Sequence, residues 1–356
     1  MKNKKMLALL LALVMMGTMM VACGKKEEAP AEPTGEATTE TPEATEPAEG
    51  GGTIGALYYN YSDTYISTVR SNFDEYAKEA GFELNVQDGQ NNQGTQNDQI
   101  DNVISKGVDA LLVNIVDTGA AVNVIDKAKA ADLPLIFFNR EPEDISVYGT
   151  YDKSRFVGTR KEEAGIIQGE MVVEAWADGA ADRNGNGKLD YVLFHGGLDN
   201  AEAIARSEYA VKTIVDAGIE INKIGEQIAN WDAEQAKLAM DAIVAKNLED
   251  IDFVLANNDS MAMGAVNALK AVGYNTGDPD KYIPVYGVDA TEEAKEAISK
   301  GEMAGTVKQD AEAMAKAMLT LAQNAIEGKE FIEGTDYEYD ESGVAVRIPY
   351  QPYTGE

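Results

Sequence analysis

Short runs of β-branched and aromatic residues alternate with longer amphipathic segments from Thr53 to the end of the chain. Between residues 65 and 80, for example, apolar side chains recur at helical spacing, and Gly81 follows as a stop signal. This alternation is typical of parallel sheets covered by helices on both faces. The candidate strands are residues 54–59, 83–87, 110–115, 135–138, 191–195, 253–257, 285–288 and 305–307. The sequence therefore predicts an α/β fold.

The length of this alternating segment predicts more than one domain. About 300 residues follow the first fifty, and a single core rarely grows beyond about 250–300 residues. We therefore expect two α/β lobes of about 150 residues each.

The N-terminus is typical of a secretory signal. Lys2, Lys4 and Lys5 precede an uncharged apolar run over residues 6–20, which is too short for a firm transmembrane prediction. Small residues before Cys23 resemble a lipoprotein signal peptidase site. We predict a signal peptide over residues 1–22, lipidation of Cys23 and extracytoplasmic anchoring to the cell membrane, with a plain membrane anchor as the alternative.

Residues 23–52 are rich in Pro, Thr, Ala and Glu and have almost nothing apolar to bury, so we predict a disordered acidic linker. Cys23 is the only cysteine in the chain. The folded part therefore has neither a disulfide nor a thiolate metal site. The formal net charge of −31 argues against nucleic acid or an anionic membrane surface as a partner.

Polar residues follow several of the candidate strands: Asp63, Asn114, residues 139–140, residues 257–259 and Asp289. Taken singly, each is explained as a helix N-cap, for which Asn and Asp are preferred. Parallel strands of an open sheet bind ligands beyond their carboxyl ends. Taken together, the amides and carboxylates therefore form a polar cage that suits the vicinal hydroxyls of a sugar.

The sequence offers little for catalysis. His195 is the only histidine and no G-x-S-x-G motif is present, so a nucleophilic triad is hard to build. Paired carboxylates for glycoside hydrolysis stay open, because acidic residues are abundant and their spacing in three dimensions is not visible in a sequence. We expect a binding protein and no enzymatic activity.

Residues 182–190 match the first nine positions of a calcium-binding loop, with glycine at position six. The predicted ligands are Asp182, Asn184, Asn186, the carbonyl of Lys188, and Asp190. The twelfth position is Leu193, so a carboxylate from elsewhere must complete the site, and Asp252 is the candidate. The alternative interpretation is a polar turn between a helix and a strand.

Several long segments resemble the periplasmic galactose/glucose-binding proteins, which are the sugar-binding components of ABC importers and serve chemotaxis in some bacteria. The segments are residues 97–101, 137–142, 151–153, 165–169, 256–265 and 284–290. The resemblance runs from about Thr53 to Tyr350.

This resemblance implies a set of sugar-binding residues. Hydrogen bonding falls on Asp63, Asn114, Arg206, Asn258 and Asp289, and ring stacking falls on Tyr65 and Trp231. The chain departs from the family at Asn200, Glu202 and Gln309, where the family has histidine, aspartate and asparagine. The family's calcium site falls on the 182–190 loop with Asp252.

The resemblance also implies a type I periplasmic binding protein, with two Rossmann-like lobes joined by a three-segment hinge. The expected lobes are residues 53–140 plus 310–346 and residues 141–309 plus 347–356, with crossings near Arg140, Gln309 and Arg347. The sugar would favour closure of the lobes because both contribute contacts. The expected partners are a monosaccharide and the membrane subunits of an ABC importer, with a chemoreceptor as an additional candidate.

Three alternatives remain beside a glucose or galactose receptor. A receptor of the same class could bind xylose, ribose or a signalling furanose, given the three departures. A transcriptional repressor core shares the two-lobed module, but the lipoprotein signal and acidic charge argue against it. A sugar-processing enzyme is the third alternative.

Overall fold

The computed structural model describes residues 51–142 and 144–355. The predicted signal peptide, Cys23 and the predicted linker up to residue 50 lie outside these residues. Within the described ranges, no helix is long and apolar enough to cross a membrane.

Strands and helices alternate along the chain, as the sequence pattern predicts. The strands are β1 Thr53–Tyr58, β2 Glu83–Asp88, β3 Ala110–Val113, β4 Leu135–Phe138, β5 Ser154–Gly158, β6 Leu189–His195, β7 Ile221–Ile228, β8 Phe253–Ala256, β9 Val285–Asp289, β10 Gly305–Lys308, β11 Ala345–Arg347 and β12 Gln351–Tyr353. The helices are α1 Thr64–Glu79, α2 Gln93–Ser105, α3 Ala121–Ala130, α4 Glu163–Trp176, α5 Ala201–Asp216, α6 Ala233–Asn247, α7 Asp259–Ala271, α8 Glu292–Ser299 and α9 Ala311–Ile326.

The strands form two six-stranded sheets, one for each lobe. The first has the order β11-β5-β4-β3-β1-β2 and is parallel throughout, and the second has the order β12-β10-β9-β8-β6-β7. Among the strands of the described residues, only β12, at an edge of the second sheet, runs antiparallel to its neighbour. The predicted α/β fold with two parallel-sheet lobes is confirmed.

Each lobe has an apolar cluster on both faces of its sheet. The central strands β3 and β4 have the sequences ALLV and LIFF and are wholly buried. Parallel strands covered by helices on both faces need such continuous apolar runs. In the first lobe, α1 and α9 pack on one face and α2 and α3 on the other. The second lobe repeats this arrangement with α6, α7 and α8 opposite α4 and α5.

The structure differs from the sequence prediction at the first lobe boundary, which was placed between residues 140 and 141. Strand β5 pairs with β4 and β11 of the first sheet. The ring of Tyr148 stacks on Phe137 of β4, with the ring centroids 4.0 Å apart. The segment up to Gly158 therefore belongs to the first lobe, because its strand and its aromatic side chain complete that lobe's core.

The chain passes between the sheets three times. The first crossing lies between β5 and α4, around Thr159, and the second lies at residues 309–310, between β10 and α9. The third lies at residues 348–350, between β11 of the first sheet and β12 of the second. All three crossings lie beside the carboxyl ends of the strands that they follow.

Candidate functional site

A pocket lies between the two lobes, at the carboxyl ends of their strands. Its cavity volume, measured as the space open to the centre of a water-sized sphere, is about 40 Å³, which exceeds the roughly 10–15 Å³ that one water molecule needs on the same measure. Its lining residues are Tyr59, Asp63, Tyr65, Ile66, Asn139, Arg140, Asn200, Glu202, Arg206, Trp231, Asn258, Asp289 and Gln309. This cleft pocket brings together nine of the ten predicted sugar-binding residues.

Three of these residues are helix caps as well as pocket residues. Asp63 accepts a hydrogen bond from the N–H of Ile66 (2.8 Å), and Asn200 and Asn258 accept equivalent bonds at the starts of α5 and α7. The cap and binding interpretations are therefore compatible. Capping fixes the side chain, and Asp63 still has a second oxygen, which accepts a 2.6 Å bond from the hydroxyl of Tyr59.

Arg206 is the most extensively bonded residue of the pocket. Its Nη1 donates to the carbonyl of Asn257 (2.7 Å), and its Nη2 lies within 3.3 Å of acceptors on Tyr350, Gln309 and Glu202. The Nε of Arg206 and the Nε2 of Gln309 are buried and have no hydrogen-bond partner among the described residues. Buried donors are rarely left unpaired in proteins. These two donors therefore indicate where acceptors of a ligand would bind.

Two buried carboxyl groups complement these donors. Burial raises the pKa of Asp289 well above its usual value, and the nearby guanidinium of Arg206 acts in the opposite direction. Burial likewise raises the pKa of Glu202, which accepts hydrogen bonds from Arg206 and from Thr159. No described residue donates a hydrogen bond to the Asp289 carboxylate, so its oxygens are available as acceptors for ligand hydroxyls.

Asp289 has a positive backbone φ of 122° at the end of β9. This conformation is costly for a residue other than glycine, and such strain concentrates at binding sites. The strained backbone places the carboxylate in the cleft pocket.

Aromatic residues from each lobe contribute to the pocket wall. Tyr65 is almost fully buried in the core of the first lobe, and its hydroxyl donates to the sulfur of Met314 (3.5 Å). Trp231 is half-buried and packs against the backbone of Gly196, where an added Cβ would lie 2.4 Å from the indole ring. Glycine at position 196 therefore permits the observed position of the indole.

Asn114 does not line the pocket, although the sequence resemblance placed it there. Its Nδ2 donates to the Phe138 carbonyl and to Asn139 Oδ1, both at 3.1 Å, and its Oδ1 accepts from the Tyr59 N–H at 3.3 Å. The side chain is completely buried. It lies behind the pocket wall, where it supports two pocket residues and has no free group for a ligand.

Four pocket residues were missing from the set that the family resemblance implied: Tyr59, Ile66, Asn139 and Arg140. Two of them, Asn139 and Arg140, were among the polar residues that the sequence placed at strand ends. The guanidinium of Arg140 lies 4.6 Å from the ring centroid of Tyr59, and its Nη1 donates to the Val116 carbonyl. The signal was visible, because Asn139 and Arg140 directly follow β4 and Tyr59 directly follows β1.

The predicted calcium loop is folded around its own polar side chains. Asp182 accepts three backbone N–H bonds, and the amides of Asn184 and Asn186 both donate to the same oxygen of Asp190 (2.7 Å). Asp252 accepts from the N–H groups of Arg183 and Asp190. The predicted ligand atom of Lys188 is its backbone carbonyl oxygen. Its side-chain ammonium forms an ion pair with Glu220.

The loop's carboxylates lie near one another. Burial raises the pKa of Asp252, and the charges of Asp190 and Asp182 contribute in the same direction. No group of three His, Cys, Asp or Glu side chains in the described residues is arranged to hold a metal. A cation in this loop would therefore depend on amide and carbonyl oxygens as well as carboxylates. The asparagine amides fit this role, because an amide flip exchanges the N and O positions.

The single histidine lies outside the cleft pocket. His195 Nδ1 accepts a hydrogen bond from the Gly197 N–H (3.1 Å), and burial lowers the pKa of the imidazole. It is therefore a strand-end residue that organises the backbone next to Gly196.

Comparison with known proteins agrees with the fold. Residues 54–330 match the model of the periplasmic binding protein domain. The chain is 40% identical over 300 residues, covering 83% of this chain and 88% of the relative, to the D-galactose/methyl-galactoside binding periplasmic protein of Haemophilus influenzae. It is 33% identical over 281 residues to a putative rhizopine-binding protein of Rhizobium meliloti, covering 78% of this chain and 85% of the relative.

Solved structures show the same architecture. An ABC transporter solute binding protein from Bacillus halodurans with bound myo-inositol has a TM-score of 0.69 and 29% identity, covering 85% of this chain and 94% of that one. The family model and the identity to these binding proteins give the same classification. This chain therefore belongs to the periplasmic binding protein family, and it is a binding protein of the type I fold, not an enzyme.

Proposed function

We propose that this protein is an extracytoplasmic receptor that binds one monosaccharide in the cleft pocket and delivers it to an ABC importer. The proposal rests on hydrogen-bond donors and acceptors that lie in one pocket and have no partner within the described protein. Two buried donors, on Arg206 and Gln309, lack partners, and the buried Asp289 carboxylate accepts no hydrogen bond from the described residues. A ring with several hydroxyls satisfies both, because each hydroxyl donates and accepts.

The relatives support this ligand class. Their names specify D-galactose and methyl-galactoside in one case, and the bound molecule is myo-inositol in another. These compounds are six-membered rings that carry several hydroxyl groups and have apolar faces. The aromatic residues Tyr65 and Trp231 offer matching surfaces in the cleft pocket.

We favour glucose or galactose among the monosaccharides. The 40% identity to a galactose-binding relative and the positions of Asp63, Arg206, Asn258 and Asp289 in one pocket support a hexose. The alternative is another monosaccharide or a cyclic polyol. It is favoured by Asn200, Glu202 and Gln309, which all line the pocket and differ from the family's residues. Each changes the donors or the reach available to a ligand hydroxyl.

Closure of the lobes follows from where the contacts originate. Asp63 and Tyr65 belong to the first lobe, and Arg206, Trp231 and Asp289 belong to the second. A sugar that touches both lobes stabilises the closed state by its preference for that state. A shift of the closed fraction from about 1% to about 99% needs about 5.5 kcal/mol, and a protein that is already partly closed without sugar needs less. Several hydrogen bonds of about 1 kcal/mol each, with stacking on an aromatic ring, supply this free energy.

A thermal-shift panel of monosaccharides tests the ligand class. A ligand that binds only the folded state raises the Tm, so we expect D-glucose or D-galactose to produce the largest increase. Tight binding of D-xylose, D-ribose or myo-inositol without any response to either hexose would contradict the hexose assignment. No response to any sugar or polyol would contradict the receptor function.

We also propose that the 182–190 loop with Asp252 holds one calcium ion. Asp182, Asp190 and Asp252 lie close enough for their charges to influence one another, and two asparagine amides converge on Asp190. The ion would neutralise these carboxylates and brace the second lobe, and it would not contact the sugar.

Anchoring by a lipid at Cys23 completes the proposal. It rests on the charged and apolar segments before this cysteine. A Cys23→Ser variant is expected to leave the membrane fraction, and its retention there would contradict a lipid anchor. We also propose that the same sugar-loaded state of the protein binds a chemoreceptor.

A further inference from the structure

A closed ring of hydrogen bonds lies beside the cleft pocket and connects it to the hinge. Arg206 Nη2 donates to Tyr350 Oη (2.8 Å), and the Tyr350 and Thr159 hydroxyls lie 3.1 Å apart. Thr159 Oγ1 lies 3.2 Å from Glu202 Oε1, and Glu202 Oε2 accepts from Arg206 Nη2 at 3.3 Å. We call these four side chains the hinge ring.

The protons of the two hydroxyls fit this ring in one direction. A threonine hydroxyl carries a single proton, and the carboxylate of Glu202 is its charged acceptor. When Thr159 donates to Glu202, the proton between the two hydroxyls comes from Tyr350. Tyr350 then accepts from the guanidinium and donates to Thr159, so its hydroxyl is used fully.

All four side chains are removed from water. Their exposed fractions are 1% for Thr159, 6% for Glu202, 3% for Arg206 and 4% for Tyr350. Buried polar networks are strongly sensitive to the loss of one member, because the remaining groups lose their partners in a medium of low dielectric constant.

The members of the ring come from different crossings between the lobes. Thr159 lies in the first crossing and Tyr350 in the third, and Gln309 of the second crossing accepts from the same Arg206 nitrogen (3.1 Å). Arg206 itself lies on α5 of the second lobe and lines the cleft pocket. A single guanidinium thus contacts the ligand pocket and, directly or through Glu202, all three hinge segments.

We infer that Tyr350 is a positioning residue that sets the closed geometry of the hinge through Arg206. Tyr350 does not line the cleft pocket, so it acts on the ligand only through the arginine and the hinge. Its hydroxyl holds Arg206 Nη2 against the first and third crossings when the lobes adopt the observed arrangement. In that arrangement the Thr64 and Ser260 hydroxyls meet across the cleft at 3.0 Å. The part of this inference that concerns sugar binding rests on the proposed function.

Tyr350→Phe tests the inference, because it removes the hydroxyl and keeps the buried aromatic ring. The matched control is Tyr286→Phe, which removes a hydroxyl from another buried tyrosine of the same apolar cluster but not of the ring. Thr159→Val breaks the ring at a second member. The full chain carries Cys23→Ser and spin labels at Val122→Cys and Leu238→Cys, which are exposed positions on the two lobes.

Distances between the labels are measured by electron spin resonance without sugar and with D-galactose, and D-galactose binding kinetics are measured beside them. We expect Tyr350→Phe to broaden the label distances toward a more open arrangement even without sugar. The dissociation rate of D-galactose should rise about tenfold, the effect of losing one hydrogen bond to a charged group, with little change in the association rate. Thr159→Val should do the same, and the double variant should show less than the sum of the two effects.

A purely structural role for Tyr350 predicts a different result. It would lower the Tm and leave the sugar-free distances and the dissociation rate at the values of the Tyr286→Phe control, and that outcome would overturn the inference. Failure of D-galactose to bind the unsubstituted protein counts against the proposed ligand. The sugar-free distances still decide the role of Tyr350.

Discussion

Individual side chains of the cleft pocket are held in place by protein hydrogen bonds. Asp63 accepts one bond at each carboxylate oxygen, from the Ile66 N–H and from the Tyr59 hydroxyl, and Arg206 uses both terminal nitrogens and retains Nε for a ligand. Such bonding reduces the side-chain entropy that ligand binding would otherwise cost. The pocket is therefore preorganised at the level of single residues.

Removal of the indole at position 231 is expected to weaken sugar binding strongly. Trp231 is half-buried beside Gly196 and provides one aromatic wall of the cleft pocket. Trp231→Ala should reduce the affinity by more than about tenfold, because it removes both stacking and buried apolar area. Trp231→Phe keeps an aromatic face and should retain most of the affinity. Calorimetry gives both affinities, and equal affinities for the alanine variant and the parent would exclude a stacking role.

Sugar affinity is expected to fall on acidification because of Asp289. Burial raises the pKa of this carboxyl group well above its usual value, so it takes up a proton at a higher pH than an exposed aspartate does. The ionised form is the acceptor for ligand hydroxyls. Binding therefore favours deprotonation, and affinity is greatest above this pKa and is lost as the pH falls through it.

The pH dependence is measured by calorimetric titration over a pH series in two buffers with different ionisation heats. Proton release on binding is expected near the lower end of the series. Asp289→Asn should bind more weakly and lose most of the dependence. An affinity that rises with acidification would contradict this role for Asp289.

At the scale of elements, strands with buried apolar runs were predictable, and the strands that were missed are short or have few large apolar residues. Seven of the eight candidate strands are largely buried, as β3 and β4 are, and the eighth is the polar edge strand β2. Strand β7 was missed because its sequence INKIGEQI is mostly polar and half-exposed at the sheet edge. Strand β5 was missed because SRFVG has only two large apolar residues, and this omission displaced the first lobe boundary.

The candidate site could likewise be predicted from the sequence only in part. Strand ends identified which residues could meet at the cleft, because parallel strands bring their carboxyl ends to one edge. The sequence could not show which side chains the protein itself uses. Asn114 follows a strand as Asp63 does, but its side-chain amide is fully hydrogen-bonded to groups of Tyr59, Phe138 and Asn139. Partners of this kind come from residues distant in sequence and are fixed only by the tertiary structure.

The loop at residues 182–190 is the element whose proposed ion can be removed directly. Chelation should lower the Tm, because an ion bound only to the folded state stabilises it by about 2.7 kcal/mol at a hundredfold excess over its Kd. At 2–4 °C per kcal/mol, this corresponds to a decrease of about 5–10 °C.

Added calcium should restore the Tm after chelation. Asp252→Asn should make the melting curve insensitive to chelator, because it removes the carboxylate contributed from outside the loop. A parent melting curve that chelator does not move would show that the loop is only a polar turn.

At the scale of the whole molecule, three chain crossings connect two lobes that share one pocket. The pocket takes residues that follow β1 and β4 in the first sheet and β6, β7, β8, β9 and β10 in the second. Neither lobe carries the complete set of groups. Ligand recognition and lobe closure are therefore linked by geometry, and a ligand that contacts only one lobe would not favour closure.

A crystal structure of the full chain grown with D-galactose shows directly whether the cleft pocket binds the sugar. We predict one sugar in the cleft pocket, with its ring between Tyr65 and Trp231. Its hydroxyls should contact the Asp289 carboxylate, Arg206 Nε and Gln309 Nε2. A sugar bound at another surface, or in the cleft with Arg206 Nε and Gln309 Nε2 still unpaired, would contradict the account.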